Sequence, residues 1–287
     1  MNRVALLLTI VVLTCFSRVS GQEVVRACGA VSVALPVNEA AKILRNERNL
    51  DMVIGAVGGT MIGLESLGNR DVSMAFSSRA LTPIDRAAFP EITFTEIPIG
   101  AQLVAMAVSR DIWEAGVRSL SKEQARGIYE GKITNWKEVG GPDSKINVFM
   151  SAPGRGQWEI FVQWLYGEIR KAPVWQGTMV KENSEARNML EFTRGSLALM
   201  PVGLVDNRNT FPLNCEVKAQ HAVAPSVANA VNETYPLSRP LILVVNDKPI
   251  GGVKIIVDFM VGERGQEIVK QMGYLTLAEL EAAQKER

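Results

Sequence analysis

"SAPGRGQWEIF", residues 151–161, decides how the chain is read. The apolar stretch Ile146 to Met150 runs into it as a strand. An amphipathic helix runs out of it, with Phe161, Trp164 and Leu165 on one side. Between them two glycines flank one arginine. A helix start leaves several backbone N–H groups unpaired, and the aligned peptide dipoles add about half a positive charge there. Glycine lets a ligand approach that backbone closely. The chemistry such a turn suits is an anion held mostly by main-chain donors.

The same construction recurs. Gly29-Ala30-Val31-Ser32 and Gly58-Gly59-Thr60 also sit between a strand-like and a helix-like segment, and Ser77-Ser78-Arg79 follows a third strand. Gly154-Arg155-Gly156-Gln157 is the opening turn itself. Three such turns with Arg79 and Arg155 beside them favour an anion site, although strand–helix packing alone also uses such glycines. Neither the P-loop ending in Lys-Ser/Thr nor Gly-x-Gly-x-x-Gly is present, which disfavours nucleoside triphosphates and dinucleotides.

From Val24 onward, strand-like and helix-like segments alternate. "VVRACGA", "DMVIGAVGG", "VSMAFSSR", "ITFTEIPIG", "LVAMAVSR", "CEVKAQHAV" and "LILVVND" read as strands. "VNEAAKIL", "TMIGLESLGNR", "SKEQARGIYEG" and "SEARNMLEFTRG" read as helices, the third with Ser121 as a cap three residues before Gln124. The helices near the C-terminus carry Val253, Ile256, Val257 and Met260 on one face, and "LAELEAAQKER" reads as a surface helix. Alternation of this kind predicts an α/β protein whose sheets are flanked by helices.

The chain has 287 residues, 47% hydrophobic and 21% charged, a composition for a globular protein of up to two domains. Charge is balanced, so no nucleic-acid footprint is present. Arg3 followed by the uncharged apolar run Val4 to Phe16, then Val19-Ser20-Gly21, has the pattern of a secretory signal peptide over residues 1–21, an uncleaved anchor being the alternative. Its removal takes Arg3 and Arg18 and no acid, leaving 29 basic against 30 acidic side chains. Export places the protein in the periplasm or outside the cell and permits a Cys28–Cys215 disulfide; two buried thiols are equally consistent. A single histidine, His221, and no Cys-x-x-Cys leave almost no material for a zinc site or a His-based triad. No cofactor or metal is expected.

Longer stretches carry a resemblance. "IYEGKITNWKEVGGPD" (128–143), "YPLSRPLILVV" (235–245), "GGVKIIVDFMVGERGQEIVKQMGY" (251–274), "DVSMAFSSRALT" (71–82) and "GGTMIGLESL" (58–67) occur in the order found in solute-binding proteins of ABC-type phosphate uptake systems, and the chain resembles that family along the whole mature length. The resemblance implies a type 2 periplasmic binding fold: two lobes, each a mixed sheet flanked by helices, joined by a hinge of two crossovers. Lobe one is expected over 22–99 and 234–287, the latter with the C-terminal helix, and lobe two over 100–233. The crossings are expected near Pro98–Gln102 and Ala224–Pro236. It further implies a non-enzymatic monomer that holds phosphate, or another small oxyanion, between the lobes for an ABC permease. The implied ligand residues are Val31, Ser32, Thr60, Ser77, Ser78, Arg79, Ser151, Arg155, Gly156 and Gln157.

Departures from the family pattern bear on selectivity. Ala30 and Val31 offer no hydroxyl where one is usual; Ser78 stands where some members place a carboxylate; and Arg155 and Gln157 replace a hydroxyl pair. Hydrogen bonds to a charged group contribute about 1.5–3 kcal/mol each. Arg155 can offset the loss with a two-pronged grip, or, with Gln157 and Trp158, narrow the pocket. A scaffold or sensor that kept the fold with weak, altered or absent anion binding is the other reading these changes leave open.

Overall fold

The computed structural model describes residues 24–55, 58–153, 155–175, 177–218 and 221–285. The signal-like segment 1–21 and Gly154 lie outside the described residues. In chain order the first part holds β1 (Val24–Gly29), α1 (Val31–Arg48), β2 (Asp51–Ile54), α2 (Thr60–Gly68), β3 (Met74–Ser77), α3 (Pro83–Ala87) and β4 (Phe94–Ser109). The middle holds α4 (Arg110–Glu114), β5 (Ser119–Ser121), α5 (Lys122–Tyr129), β6 (Asn147–Ser151), α6 (Gly156–Tyr166), β7 (Thr178–Val180), α7 (Asn183–Phe192), β8 (Ser196–Pro201), β9 (Thr210–Lys218) and β10 (His221–Val223). The last part is α8 (Val227–Val231), β11 (Ser238–Asn246), α9 (Gly251–Val261), α10 (Glu263–Gln271) and α11 (Leu277–Lys285).

The strands pair in the order β2-β1-β3-β11-β4-β8-β6-β7, with β9 branching from β4 and itself paired to β5 and β10. β1 runs parallel to β2 and β3, β6 runs parallel to β7 and β8, and β11 lies antiparallel between β3 and β4. β4 is common to both halves. Its residues Phe94 to Leu103 pair with β11, and Val104 to Ser109 pair with β8 or β9. "ITFTEIPIG" and "LVAMAVSR" are thus one strand, not two: Pro98-Ile99-Gly100 makes a register shift against Leu241/Ile242 without ending the ladder.

Apolar side chains fall into separate cores on either side of that passage. Val33, Val37, Phe76, Ile99, Leu241 and Met260 belong to one. Leu103, Trp136, Phe161, Leu199, Tyr235 and Leu237 belong to the other. The helices that cover them start where local chemistry dictates. At α5, Ser121 Oγ accepts from Gln124 N–H at 3.1 Å while Gln124 Oε1 accepts from Ser121 N–H at 2.9 Å, a reciprocal cap that contributes about 1 kcal/mol. α9 buries Ile256, Val257 and Met260, with Val253 packed at the edge of the same core. α1 begins at Val31, well before the periodic stretch "VNEAAKIL", and continues through Pro36. Proline fixes a helical φ but has no N–H for the carbonyl four residues back, that of Ser32. α11 lies on the surface and packs against α8 and β4.

Cys28 and Cys215 are free, buried thiols, so no disulfide joins them. Burial pushes the Cys215 thiol up to about 12, with the Tyr235 hydrogen bond acting the other way.

Candidate functional site

Parallel strands with crossover helices bring their C-terminal ends, and the helix starts that follow, to one edge of the sheet. β2, β1 and β3 are neighbours, so the turns after them meet. Thr60, the first residue of α2, accepts from Ser78 N–H at 3.0 Å through its hydroxyl, and that oxygen lies 3.4 Å from the hydroxyls of both Ser77 and Ser78. Ser77 also donates to Arg79 O at 2.6 Å. Val31 and Ser32 open α1 from the adjoining strand end. Ser32 is fully buried and its Oγ has no hydrogen-bond partner among the described residues.

Arg79 is committed elsewhere. Its guanidinium grips Asp85 with Nη1 and Nη2 at 2.6 and 2.9 Å, and Nη1 also donates to Ala80 O. Asp85 is itself held by Thr82, which caps α3 with Pro83 at its first position. The Thr82-Pro83-Ile84-Asp85 spacing is a capping box readable from sequence, and it supplies the acid that takes Arg79.

On the other side, Ser151, Arg155, Gly156 and Gln157 line one cavity of about 370 Å³, together with Asn183 at the start of α7 and Gln102 of β4. Across from them, Leu35 and Glu39 of α1 and Gln271, Met272 and Tyr274 close the wall. Elements on both sides of the β4 passage therefore contribute. Thr60, Ser77 and Ser78 are not among the residues lining this cavity. Ser151 is buried and its Oγ, like that of Ser32, has no partner among the described residues. Gln157 donates to Asn183 Oδ1 at 2.8 Å, which ties the two helix starts together. Arg155 is exposed, with one long bond to Lys181 O at 3.4 Å. Trp158 does not narrow the cavity. It is buried in the neighbouring core, and its Nε1 donates to the Tyr129 hydroxyl.

Beneath the cavity lies a buried polar group that no local pattern announces. Arg239 of β11 donates through Nε to Gln102 Oε1 at 2.9 Å and through Nη2 to Gly156 O at 2.8 Å, with Glu159 Oε2 at 3.6 Å. Burial pulls the Arg239 pKa down and pushes that of Glu159 up, their mutual attraction opposing both. Burial likewise pushes the Tyr274 hydroxyl up to about 12 against the pull of Arg239 and Arg155.

A larger hollow of about 950 Å³ lies by Tyr129, Lys132, Lys145 and Trp175. It adjoins the start of β6, away from the helix N-termini, and lacks their converging donors. Among the described residues no group of three or more His, Cys, Asp or Glu is placed to hold a metal ion.

An α/β fold of two lobes, with a curled mixed sheet and flanking helices, is that of a periplasmic-type binding protein. The chain belongs to the family described as the PBP superfamily domain, which it matches over residues 18–264. It is similar to the phosphate-binding protein PstS of Borreliella burgdorferi (strain ATCC 35210 / DSM 4680 / CIP 102532 / B31), with 27% identity over 264 residues, 88% of this chain and 90% of the relative. Among solved structures it resembles an ABC-type phosphate transport receptor from Vibrio cholerae, with a TM-score of 0.65 and 23% identity over 88% of this chain and 99% of that one. It also resembles a possible phosphate binding protein from Planctomyces limnophilus DSM 3776, with a TM-score of 0.77 and 18% identity over 92% and 97% of the two chains. At these identities the structural likenesses speak to the fold.

Proposed function

We propose that this protein is an exported receptor that captures a small oxyanion, phosphate first, between its lobes and presents it to an ABC permease as a monomer. It is a binding protein and not an enzyme, in keeping with relatives named for phosphate binding and phosphate transport. The observation that carries the reading is two buried hydroxyls without a partner among the described residues, Ser32 Oγ and Ser151 Oγ, on opposite sides of the β4 passage. Each lies at a strand-to-helix turn. A buried polar group without a partner costs about 1–3 kcal/mol, so each favours a ligand atom beside it. Ser151 lines the cavity of about 370 Å³ and Ser32 does not, so one anion would meet both only when the lobes close.

Lobe one is expected to resume at 234 and to hold the C-terminal helix, but Tyr235 and Leu237 pack in the core of lobe two, as does Leu280 of α11. On this reading lobe one comprises residues 22–99 and the stretch from Leu241 through α10, and lobe two the chain from 100 to Leu237, with α11 reaching across to α8. Closure about the passage brings the Ser32–Thr60–Ser78 side toward Ser151, Gly156 and Gln157. Export rests on the Arg3 and apolar 4–16 pattern of the sequence.

Ser78 in place of a carboxylate removes an acceptor for the proton of a protonated anion, and a hydroxyl both donates and accepts. The pocket is therefore expected to separate phosphate from sulfate weakly. Calorimetric titration of anion-stripped protein checks this: phosphate binds, with sulfate less than about a thousandfold weaker, roughly 4 kcal/mol. Absence of binding by either anion would favour the scaffold reading instead, and a wider gap would overturn the selectivity claim.

A further inference from the structure

Gln102 stands on β4 where that strand leaves one core for the other, and it is fully buried. Its Oε1 accepts from Arg239 Nε. A guanidinium has donors only, so this bond decides which end of the amide faces Arg239. The carbonyl end is taken. The NH₂ end has no acceptor among the described residues, although Gln102 lines the cavity.

Gly156 shows how close that amide lies to the start of α6. A Cβ added at Gly156 would come to 3.2 Å from both Gln102 Nε2 and Oε1, and to 3.1 Å from Arg239 Nη2. The unpaired NH₂ therefore sits beside the free N–H groups of an eleven-residue helix, in the cavity that Ser151 also lines with its unpartnered hydroxyl. Arg239 holds the whole arrangement, since the same guanidinium bonds Gly156 O and Gln102.

We propose that Gln102, oriented by Arg239, is a direct contact of the bound oxyanion at the hinge and sets its selectivity. This rests on the oxyanion reading above. An NH₂ group offers donors and no acceptor, so it suits a fully ionised oxygen and asks for no proton. Sulfate and the phosphate dianion are then served alike at this point. The substitution Gln102→Glu would introduce a preference for phosphate at this point. The new carboxylate would keep Arg239 as its partner and turn an acceptor toward the anion, repelling sulfate while accepting the proton of HPO₄²⁻.

The test is calorimetry with inorganic phosphate and with sulfate at about pH 8 on stripped wild type, Gln102→Glu and Gln102→Leu, each first shown to melt cooperatively without anion. For Q102E, sulfate affinity is expected to fall by about 100-fold or more and phosphate by far less, so that their ratio shifts at least tenfold. For Q102L, both anions weaken by about 10- to 100-fold, the range of one hydrogen bond to a charge. A merely structural Gln102 would move both anions together in Q102E. That outcome, or unchanged affinities in either variant, overturns the inference while leaving the oxyanion reading intact. Wild type that binds neither anion overturns both. If Q102E does not fold, Q102L decides alone: affinity within about threefold of wild type rejects the contact.

Discussion

Asp85 gathers donors from two directions: Thr82 N–H and Oγ1–H at 2.7 Å each on one oxygen, and the Arg79 guanidinium across both oxygens. The Arg79 hydrogen bond is the largest of the influences that hold its carboxyl well below the usual carboxylate range, and burial opposes it. A depressed folded pKa means stability that is present above the unfolded value of about 3.9 and lost as pH falls toward the folded one. Urea melts at a series of pH values should show unfolding free energy declining below about pH 4. Asp85→Asn should be less stable at neutral pH by about 1–3 kcal/mol and show a shallower acid decline. An identical acid slope in wild type and D85N would remove Asp85 from the account. Arg79 has sequence surroundings that resemble those of a ligand residue. In the structure its guanidinium is paired with Asp85, six positions on, behind a capping box whose individual letters are all visible.

At the scale of elements, β4 separates what the chain reveals locally from what it does not. Some helix starts are legible because caps act over three residues, as Ser121 does with Gln124; the start of α6 has no side-chain cap and is legible by the glycines around Arg155. The continuity of β4 through Pro98-Ile99-Gly100 is not, since local propensity favours a break and only the β11 ladder overrides it. Nor is the Arg239–Gln102 pair, whose members are separated by 137 positions and share no periodicity. The first-turn residues Val31 and Ser32 are legible as a helix start by their glycine, yet the periodic pattern begins only at Val37, because Pro36 looks like a boundary. Gly100 carries the tightest constraint along β4. Its φ is +146°, and an added Cβ would lie 2.5 Å from Leu275 O, the carbonyl that accepts from Ala101 N–H. Gly100→Ala must strain the backbone or part that bridge, at about 2–4 kcal/mol. A Tm lowered by about 5–12 °C is expected in scanning calorimetry; a drop under about 2 °C would mean the bridge does not constrain the strand.

For the whole molecule, the number of passages between cores decides how the lobes are coupled. Ile99 belongs to one core and Ala101 to the other; Leu237 and Leu241 divide likewise; so do Tyr274 and Leu275. These three passages lie side by side: Arg239 pairs with Gln102 in the β4–β11 ladder, and Ala101 bridges Leu275. The closure proposed above would then be a small shear or bend of a continuous sheet, not a swing on a loose tether. The same coupling governs unfolding. Chains of two lobes often melt in steps, but here unfolding either lobe alone would strip Arg239 of Gly156 O or of its place on β11, leaving a buried charge half-satisfied, at about 3–5 kcal/mol. The five tryptophans all pack in or against the core that holds Trp136 and Phe161, so their fluorescence reports one lobe, whereas far-ultraviolet circular dichroism reports both. Urea unfolding followed by the two signals should give coincident curves with one midpoint. In Arg239→Gln, which lacks the charge and the fork, the curves should separate, the tryptophan signal no longer tracking the whole. Wild-type curves that already separate would show that the lobes fold independently and that the three passages carry no coupling.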